Sequence, residues 1–431
     1  MKRILGLVVF VAVALATAAA QQQSYKPFTI DDLIQVRRVS DPQLSPDGRW
    51  IAYTITDTDK EANRRTTQIY VVSTEGGEPR QITNEKQSSS SPRWSPDGKR
   101  LAFVSARDGA PQIWTIEMAE TATGPLKQIT SISTGVEGPV WSPDGRWIAF
   151  TSEVYPDCPN DDCNRQREEK AAASKVKAKI TDRLLYRHWI SWKDGKRTHV
   201  FVVAASGGEA RDLTPGDYDA PPFSLGGPPG YAFSPDGSEL AFARNTDKVE
   251  AISTNGDIFI VPVQGGQARR ITGNNPANDL SPQYSPDGRY IAYRAQSKPG
   301  FESDRWRLML YDRKTGQSHS ISESLDSSVE SFTFSPDGRT VFLTALERGR
   351  LPIYSLSING GQARKLIGEG TNDDVQVSRD GKMIIFTRNS LTRPVEIFRA
   401  GADGSQVTQV TRTNEAFLAD FDLKPAEDMT W

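Results

Sequence analysis

Short apolar runs, separated by polar turns that carry glycine, fill almost the whole chain, and they recur. The turn is the clearest marker. "SPDGRW" occupies residues 45–50, near-copies start at Ser95, Ser142, Ser234, Ser285 and Ser335, and a diverged copy, "SRDGKM", starts at Ser378. Successive starts are 50, 47, 92, 51, 50 and 43 residues apart. A second element follows each turn, such as "QIYVVSTEGGEPRQIT" from Gln68 or "DIFIVPVQGGQARRIT" from Asp257. Seven turns have seven such partners, so the gap of 92 is one enlarged repeat.

Each unit reads as four short strands. One leads into the turn ("PVW" before Ser142) and one leaves it ("WIAFTS" from Trp147). The third resembles "IYVV" and the fourth "ARRIT", with a Gly-Gly pair such as Gly265-Gly266 making the last hairpin. No stretch inside the units has the 3.6-residue period of a helix. A repeat of 40–50 residues built from four antiparallel strands predicts an all-β protein, a seven-bladed β-propeller of four-stranded antiparallel blades over residues 43–411. Each blade is whole, so the ring should close between blades 1 and 7 without an interlocked strand. That seam is expected to be more compliant than the other interfaces.

Hairpin geometry accounts for every residue of the turn. Pro presets φ, Asp suits the next position, Gly takes the left-handed conformation, and Ser accepts a backbone hydrogen bond. The repeated Asp residues are therefore read as structural and not as ligands. A propeller glycosidase or lyase would need carboxylates gathered at the ring centre, and these turns do not supply them.

Two regions depart from the pattern. Lys2 and Arg3 precede an apolar run and then "ATAAA", with Ala18 and Ala20 at the positions a signal peptidase reads. Residues 1–20 are predicted to be a signal peptide cut after Ala20, and residues 21–42 an N-terminal segment. The mature protein is then expected to be exported, periplasmic or secreted, and not held in a membrane. The second departure is an insertion in blade 3, about 153–198. The segment from Arg165 to about Leu185 is rich in Ala, Lys and Glu and predicts a helix, with Ala171, Ala172, Val176, Ile180 and Leu184 near one face. Glu168, Glu169 and Arg187 are its candidate substrate contacts. His188 and His199 are read as packing residues.

Export permits disulfides, and Cys158 and Cys163 flank a Pro-Asn turn, so a small disulfide-closed loop is expected. Two thiols with Asp157, Asp161 and Asp162 make a poor metal set, and neither a metal nor a cofactor is expected. The 52 basic and 54 acidic residues leave a formal charge of −2 and no long basic run, which excludes a nucleic-acid role.

The stretch "FTIDDLIQVRRVSDPQLSPDGRWIAYTIT", the repeats, and "LLYRHWISWKDGKRTHVFVV" in blade 3 resemble the propeller of exported prolyl oligopeptidase-family serine peptidases. The acylaminoacyl-peptidase and dipeptidyl-peptidase-V-like branch is the most similar. The resemblance implies a propeller that covers an α/β-hydrolase domain and limits access to short peptides. It places a Ser-Asp-His triad in that domain, C-terminal to the propeller, with the nucleophile on a Gly-x-Ser-x-Gly elbow. This sequence has no such elbow, and its three histidines, His188, His199 and His319, all fall in the repeats or the insertion. No catalytic residue is carried over. Residues 412–431 read as a linker toward a hydrolase domain that is absent here, through which peptide substrates would be the partners. Dipeptidyl peptidase IV relatives hold the substrate amino group with a propeller Glu pair, for which Glu168-Glu169 is the counterpart here, although its surroundings do not match that motif. TolB-like propellers share the SPDG turn, and a stand-alone exported propeller that binds proteins is the alternative reading.

Overall fold

The structure, a computed structural model, describes residues 25–84, 86–120, 123–182, 184–223 and 229–429. The predicted signal peptide and its cleavage site lie outside the described residues.

Seven four-stranded antiparallel sheets form, one from each repeat, with strands ordered consecutively from first to fourth. Blade 1 consists of Arg38–Leu44, Trp50–Asp59, Arg64–Ser73 and Arg80–Gln81. Blade 7 consists of Thr371–Val377, Met383–Ser390, Arg393–Gly401 and Thr408–Gln409. The first strands of neighbouring blades pack against one another. Hydrogen bonds join them too, from Trp94 Nε1 to the Gln43 carbonyl at 3.0 Å and from Gln283 Nε2 to the Phe332 carbonyl at 2.9 Å. The first strands are therefore innermost, and their free edges border a central channel.

The middle strands are nearly all apolar because both of their faces are buried. Successive side chains point to opposite neighbours: Ile51 and Tyr53 pack toward blade 7, Ala52 toward blade 2. The result is a ring of seven apolar clusters, one per blade interface, in place of a single core.

The seven turns are alike atom for atom. In the first, Trp50 N donates to Ser45 Oγ at 2.9 Å, and Ser45 Oγ donates to Asp47 Oδ1 at 2.6 Å. Asp47 Oδ1 also accepts from Arg49 N at 3.1 Å, and Gly48 sits at φ +74°. The same serine–aspartate bond recurs at Ser95, Ser142, Ser234, Ser285, Ser335 and Ser378. The Thr or Ser that ends every unit but the sixth has a job as well. Thr83 Oγ1 accepts from Ile69 N at 2.9 Å and donates to Gln68 Oε1 at 2.6 Å, and Thr411 does the same with Ile397 N and Glu396. This clasp fastens the short fourth strand to the third.

Blade 1 is built wholly from the N-terminal repeat and blade 7 from the C-terminal one, so no strand crosses the seam. Val39, Ile51, Tyr53, Ile55 and Val72 meet Ile385, Ile397 and Val410 there. Asn414 Oδ1 accepts from Arg37 N, and Asn414 Nδ2 donates to the Arg37 carbonyl, both at 2.9 Å. Ahead of the seam lies the short helix α1, Ile30–Gln35, capped by Thr29.

Four expectations shift. The first strand begins at Arg38, not Gln43, because its bulge lets it run past residues 41–42 and pair up to Arg38↔Thr56. The insertion narrows to 155–196, since Trp147–Val154 pairs in full with Arg197–Ala204. Its helix, α2, spans Asp161–Ala173 and not 165–185. It starts early because Asn160 Oδ1 caps Cys163 N and Asp161 and Asp162 favour the first turn. It stops early because Ser174 Oγ accepts from Val176 N, a local bond that competes with the helix. Finally, the predicted apolar face is not buried: Val176, Ile180 and Leu184 are all exposed. After the ring, a single turn, α3 at Glu415–Leu418, leads to a tail tied back to the N-terminal segment. Lys26 N donates to the Asp420 carbonyl at 2.9 Å, and Phe28 meets Phe421 edge-on at 5.1 Å.

Candidate functional site

Antiparallel order gives the ring two unlike faces. The SPDG turns and the Gly-Gly hairpins share one. The loops between second and third strands lie on the other, together with the start of the first strand of blade 1 and the end of the last strand of blade 7. Contacts confirm the grouping: Lys60 of the blade 1 loop pairs with Asp31 of α1 at 2.6 Å, and Arg350 of the blade 6 loop with Asp428 of the tail at 2.7 Å. Of the 20 exposed large apolar side chains among the described residues, 18 lie on this terminal face and two, Leu126 and Val407, do not.

The arm in blade 3 rises from the terminal face. Cys158 and Cys163 are joined by a disulfide with Cα atoms 5.4 Å apart, closing the loop that enters α2. Asp161 pins the helix to blade 2 by accepting from Ser133 Oγ at 2.8 Å, and Asn164 Oδ1 accepts from Tyr155 N at 2.9 Å. Beyond α2, Arg187–His188 and Ser191–Trp192 make a small hairpin. His188 stacks flat on Phe223 at 4.1 Å, and burial together with Lys193 holds its imidazole below the usual range. Both ring nitrogens of His199 are engaged, Nδ1 with Asp212 at 2.7 Å and Nε2 with the Gly216 carbonyl at 2.9 Å.

At the base of the arm, buried Arg197 meets Asp217 at 2.8 Å, Asp219 at 3.1 Å and Glu250 at 2.8 Å, while Lys193 also reaches Asp219. Burial works against the Arg197 charge, but Glu250 and Asp217 outweigh it and hold the guanidinium above its ordinary range. A cleft of about 300 Å³ opens here, between the Trp192 hairpin and Glu250. The three candidate contacts are not brought together. Glu168 accepts from Tyr155 Oη at 2.9 Å and pairs with Lys196 at 3.3 Å. Glu169 pairs with Arg165 at 3.3 Å, and Arg187 lies over the Trp192 ring at 5.1 Å. Among the described residues, no hydrogen bond or ion pair joins any two of the three.

The channel holds what sequence reasoning missed. Two residues sit four and five positions before each turn serine, at or beside the bulge of the first strand in six of the blades: Ser40-Asp41, Ser90-Ser91, Glu137-Gly138, Pro229-Gly230, Leu280-Ser281, Glu330-Ser331 and Asp373-Asp374. The wall made by blades 6, 7, 1 and 2 is charged. Arg93 Nη1 binds Asp41 at 2.8 and 2.9 Å, and Asp373 accepts from Ser331 Oγ at 2.9 Å. Asp374 is exposed to the lumen; partial desolvation in that confined space, then Asp373 and Asp41, pushes its carboxyl up to about 6. The opposite wall, blades 3 to 5, is apolar apart from Glu137. There Val140, Trp141, Tyr231, Phe233 and Pro282 line a hollow of about 310 Å³. Counting backward from each turn serine would have found these positions. Among the described residues, no group of three or more His, Cys, Asp or Glu side chains is placed to hold a metal ion, and no helix is long and apolar enough to cross a membrane.

A seven-bladed ring with SPDG turns and an unlaced seam defines a class. The chain belongs to the TolB β-propeller domain family, whose profile matches residues 20–224 and 280–425. Within that class its similarity is to peptidase propellers. Dipeptidyl-peptidase 5 of Porphyromonas gingivalis is 27% identical over 417 residues, covering 94% of this chain and 58% of that protein. A Bacillus subtilis protein named uncharacterized peptidase YuxL is 27% identical over 425 residues, covering 94% of this chain and 62% of its own length. The chain thus spans about three-fifths of the length of these curated relatives. Two solved structures share the fold at 18% identity. Acylaminoacyl peptidase of Pyrococcus horikoshii superposes with a TM-score of 0.67 over 90% of this chain and 55% of that one. The β-propeller domain of the Trilobed protease from Pyrococcus furiosus, described as having an open velcro topology, gives 0.60 over 88% of this chain and 99% of that one.

Proposed function

We propose that this chain is the non-catalytic, substrate-gating propeller of an exported serine peptidase. Peptide hydrolysis would belong to an α/β-hydrolase domain carrying the Ser-Asp-His triad, seated on the terminal face. One observation carries the reading: the exposed apolar side chains gather on the face that also bears the start and end of the ring and the arm. A covering domain joined at the ends would bury that surface. The similarity to dipeptidyl-peptidase 5 supports peptides as the substrate class. On the arm, Glu169 and Arg187 are exposed and stand as its candidate substrate contacts, while Glu168 is committed to Tyr155 and Lys196.

The test is an assay of the purified chain with dipeptidyl- and aminoacyl-chromogenic substrates. No turnover is expected from this chain, and turnover is expected from a version extended by a hydrolase domain. Activity of the present chain that survives stringent purification would sink the proposal. The TolB family membership favours a second reading, a free-standing propeller that binds proteins. Stable co-purification with a separately expressed hydrolase domain supports the first reading, and its absence the second. Export is tested by N-terminal sequencing of the mature protein, with residue 21 as the expected start.

A further inference from the structure

The two walls of the channel are chemically opposite, and the hollow on one of them is a cavity without an assigned occupant. Its volume of about 310 Å³ is at the small end of ligand pockets. Trp141, Tyr231, Phe233, Val140 and Pro282 give it an apolar lining, with Ser281 and Gln283 at one edge. It suits one large apolar side chain together with its backbone. Facing the same lumen are Asp373 and Asp374 of blade 7, Glu330 of blade 6 and Glu137 of blade 3. Arg93 is spent on Asp41, and Arg294, which lies over the Trp306 ring with its Nη1 on the Glu330 carbonyl at 2.8 Å, also pairs with the Glu330 carboxylate at 3.9 Å. Among the described residues, Asp373, Asp374 and Glu137 take part in no ion pair, which leaves the lumen an excess of negative charge.

We propose that the channel is a peptide-binding site selective for a basic residue next to a large apolar one. The apolar side chain enters the hollow of blades 3 to 5, and the ammonium or guanidinium group meets the Asp373-Asp374 wall. Charge complementarity chooses this occupant, because an acidic peptide would add like charge in a confined lumen. The apolar lining chooses the neighbour, because a glycine there would leave the hollow filled with water. The proposal rests on the peptide reading above and refines it by naming the favoured peptide class.

Asp374 makes the site sensitive to pH. Asp373 flanks it, Asp41 and Arg93 face it from blades 1 and 2, and Thr387 donates to it at 3.2 Å. Below about pH 6 it carries a proton and attracts a cation less; above, the full charge is present.

Binding is measured on the whole chain by calorimetry and by tryptophan fluorescence, with three blocked dipeptides: acetyl-Lys-Phe-amide, acetyl-Glu-Phe-amide and acetyl-Lys-Gly-amide. The first is expected to bind at least tenfold more tightly than the other two, and more tightly at pH 7.5 than at pH 5. Asp373→Asn with Asp374→Asn should weaken it about tenfold, the worth of one partly screened ion pair. Trp141→Phe should abolish the fluorescence change while the calorimetric signal persists. Equal binding of the Lys and Glu peptides, or unchanged affinity in the double Asn variant with its melting temperature intact, overturns the proposal. Because no hydrolysis is read, a negative result here leaves the gating assay standing, and a negative gating assay leaves this one standing.

Discussion

At the scale of single residues, the repeated SPDG aspartates and the channel aspartates are the same side chain in opposite circumstances. Asp47 and its six counterparts spend their oxygens on a serine hydroxyl and a backbone N–H, which holds them below the usual carboxylate range even where burial opposes it. Asp279 has the reverse fate. It is fully buried, Asn275 Nδ2 donates to its Oδ1 at 2.7 Å, and its Oδ2 has no partner. Burial pushes its carboxyl up to about 7, against the hydrogen bond from Asn275. A raised carboxyl pKa stabilises the fold below the unfolded value near 4, and this contribution is lost as pH rises through about 7. Asp279→Asn should therefore stabilise the protein by about 2–4 kcal/mol at pH 8, with the gain vanishing toward pH 4. Calorimetric melting at the two pH values checks this; an equal gain at both would mean that the carboxylate charge is not the cost.

At the scale of elements, blade 3 shows how an insertion is tolerated without disturbing its sheet. The register Trp147↔Ala204 through Val154↔Arg197 is unbroken, so the arm leaves and returns at paired residues. Its footing is covalent and polar rather than apolar: the disulfide, Asp161 on Ser133, and Asn164 on Tyr155. Replacing both cysteines by serine removes a constraint on a six-residue loop, worth about 2 kcal/mol in the chain-entropy view. The loss should be local. Limited proteolysis within 165–193 is expected to speed up several-fold, while the melting temperature of the ring stays within a degree or two. A ring that melts much earlier would show the arm to be part of the core.

At the scale of the molecule, the ring is a chain of seven interfaces of one kind, and the seam differs only in lacking a peptide link beside it. Its packing is as apolar as its neighbours', yet nothing covalent limits its opening. Gln376 bridges it, accepting from Leu44 N at 2.9 Å and donating to the Pro42 carbonyl at 2.5 Å. Gln376→Ala strands both groups and should cost about 1–3 kcal/mol. Hydrogen exchange should quicken in Arg38–Leu44 and Thr371–Val377 and stay unchanged in Asp279–Tyr284 at the blade 4–5 interface. In the unmodified protein the seam strands should already open before those of blade 5. Equal protection at both interfaces would show that the missing link confers no compliance.

The sequence by itself determined the parts that repeat. Blade number, turn chemistry, strand order and the unlaced ring are legible because each copy repeats the same local physics, and local physics is written in adjacent residues. It also placed the insertion, though not the end of α2, where one serine back-bond outweighed favourable helix composition over the next turn. The unlike faces, the knotting of Phe28 to Phe421, and the meeting of Asp41, Arg93 and Asp374 across three blades were decided only in three dimensions. The residues of that channel cluster lie up to 333 positions apart in the chain (Asp41 to Asp374), and ring closure alone brings them together. A side chain at the rim of a channel is defined by its neighbours around the axis, and no window along the sequence contains them.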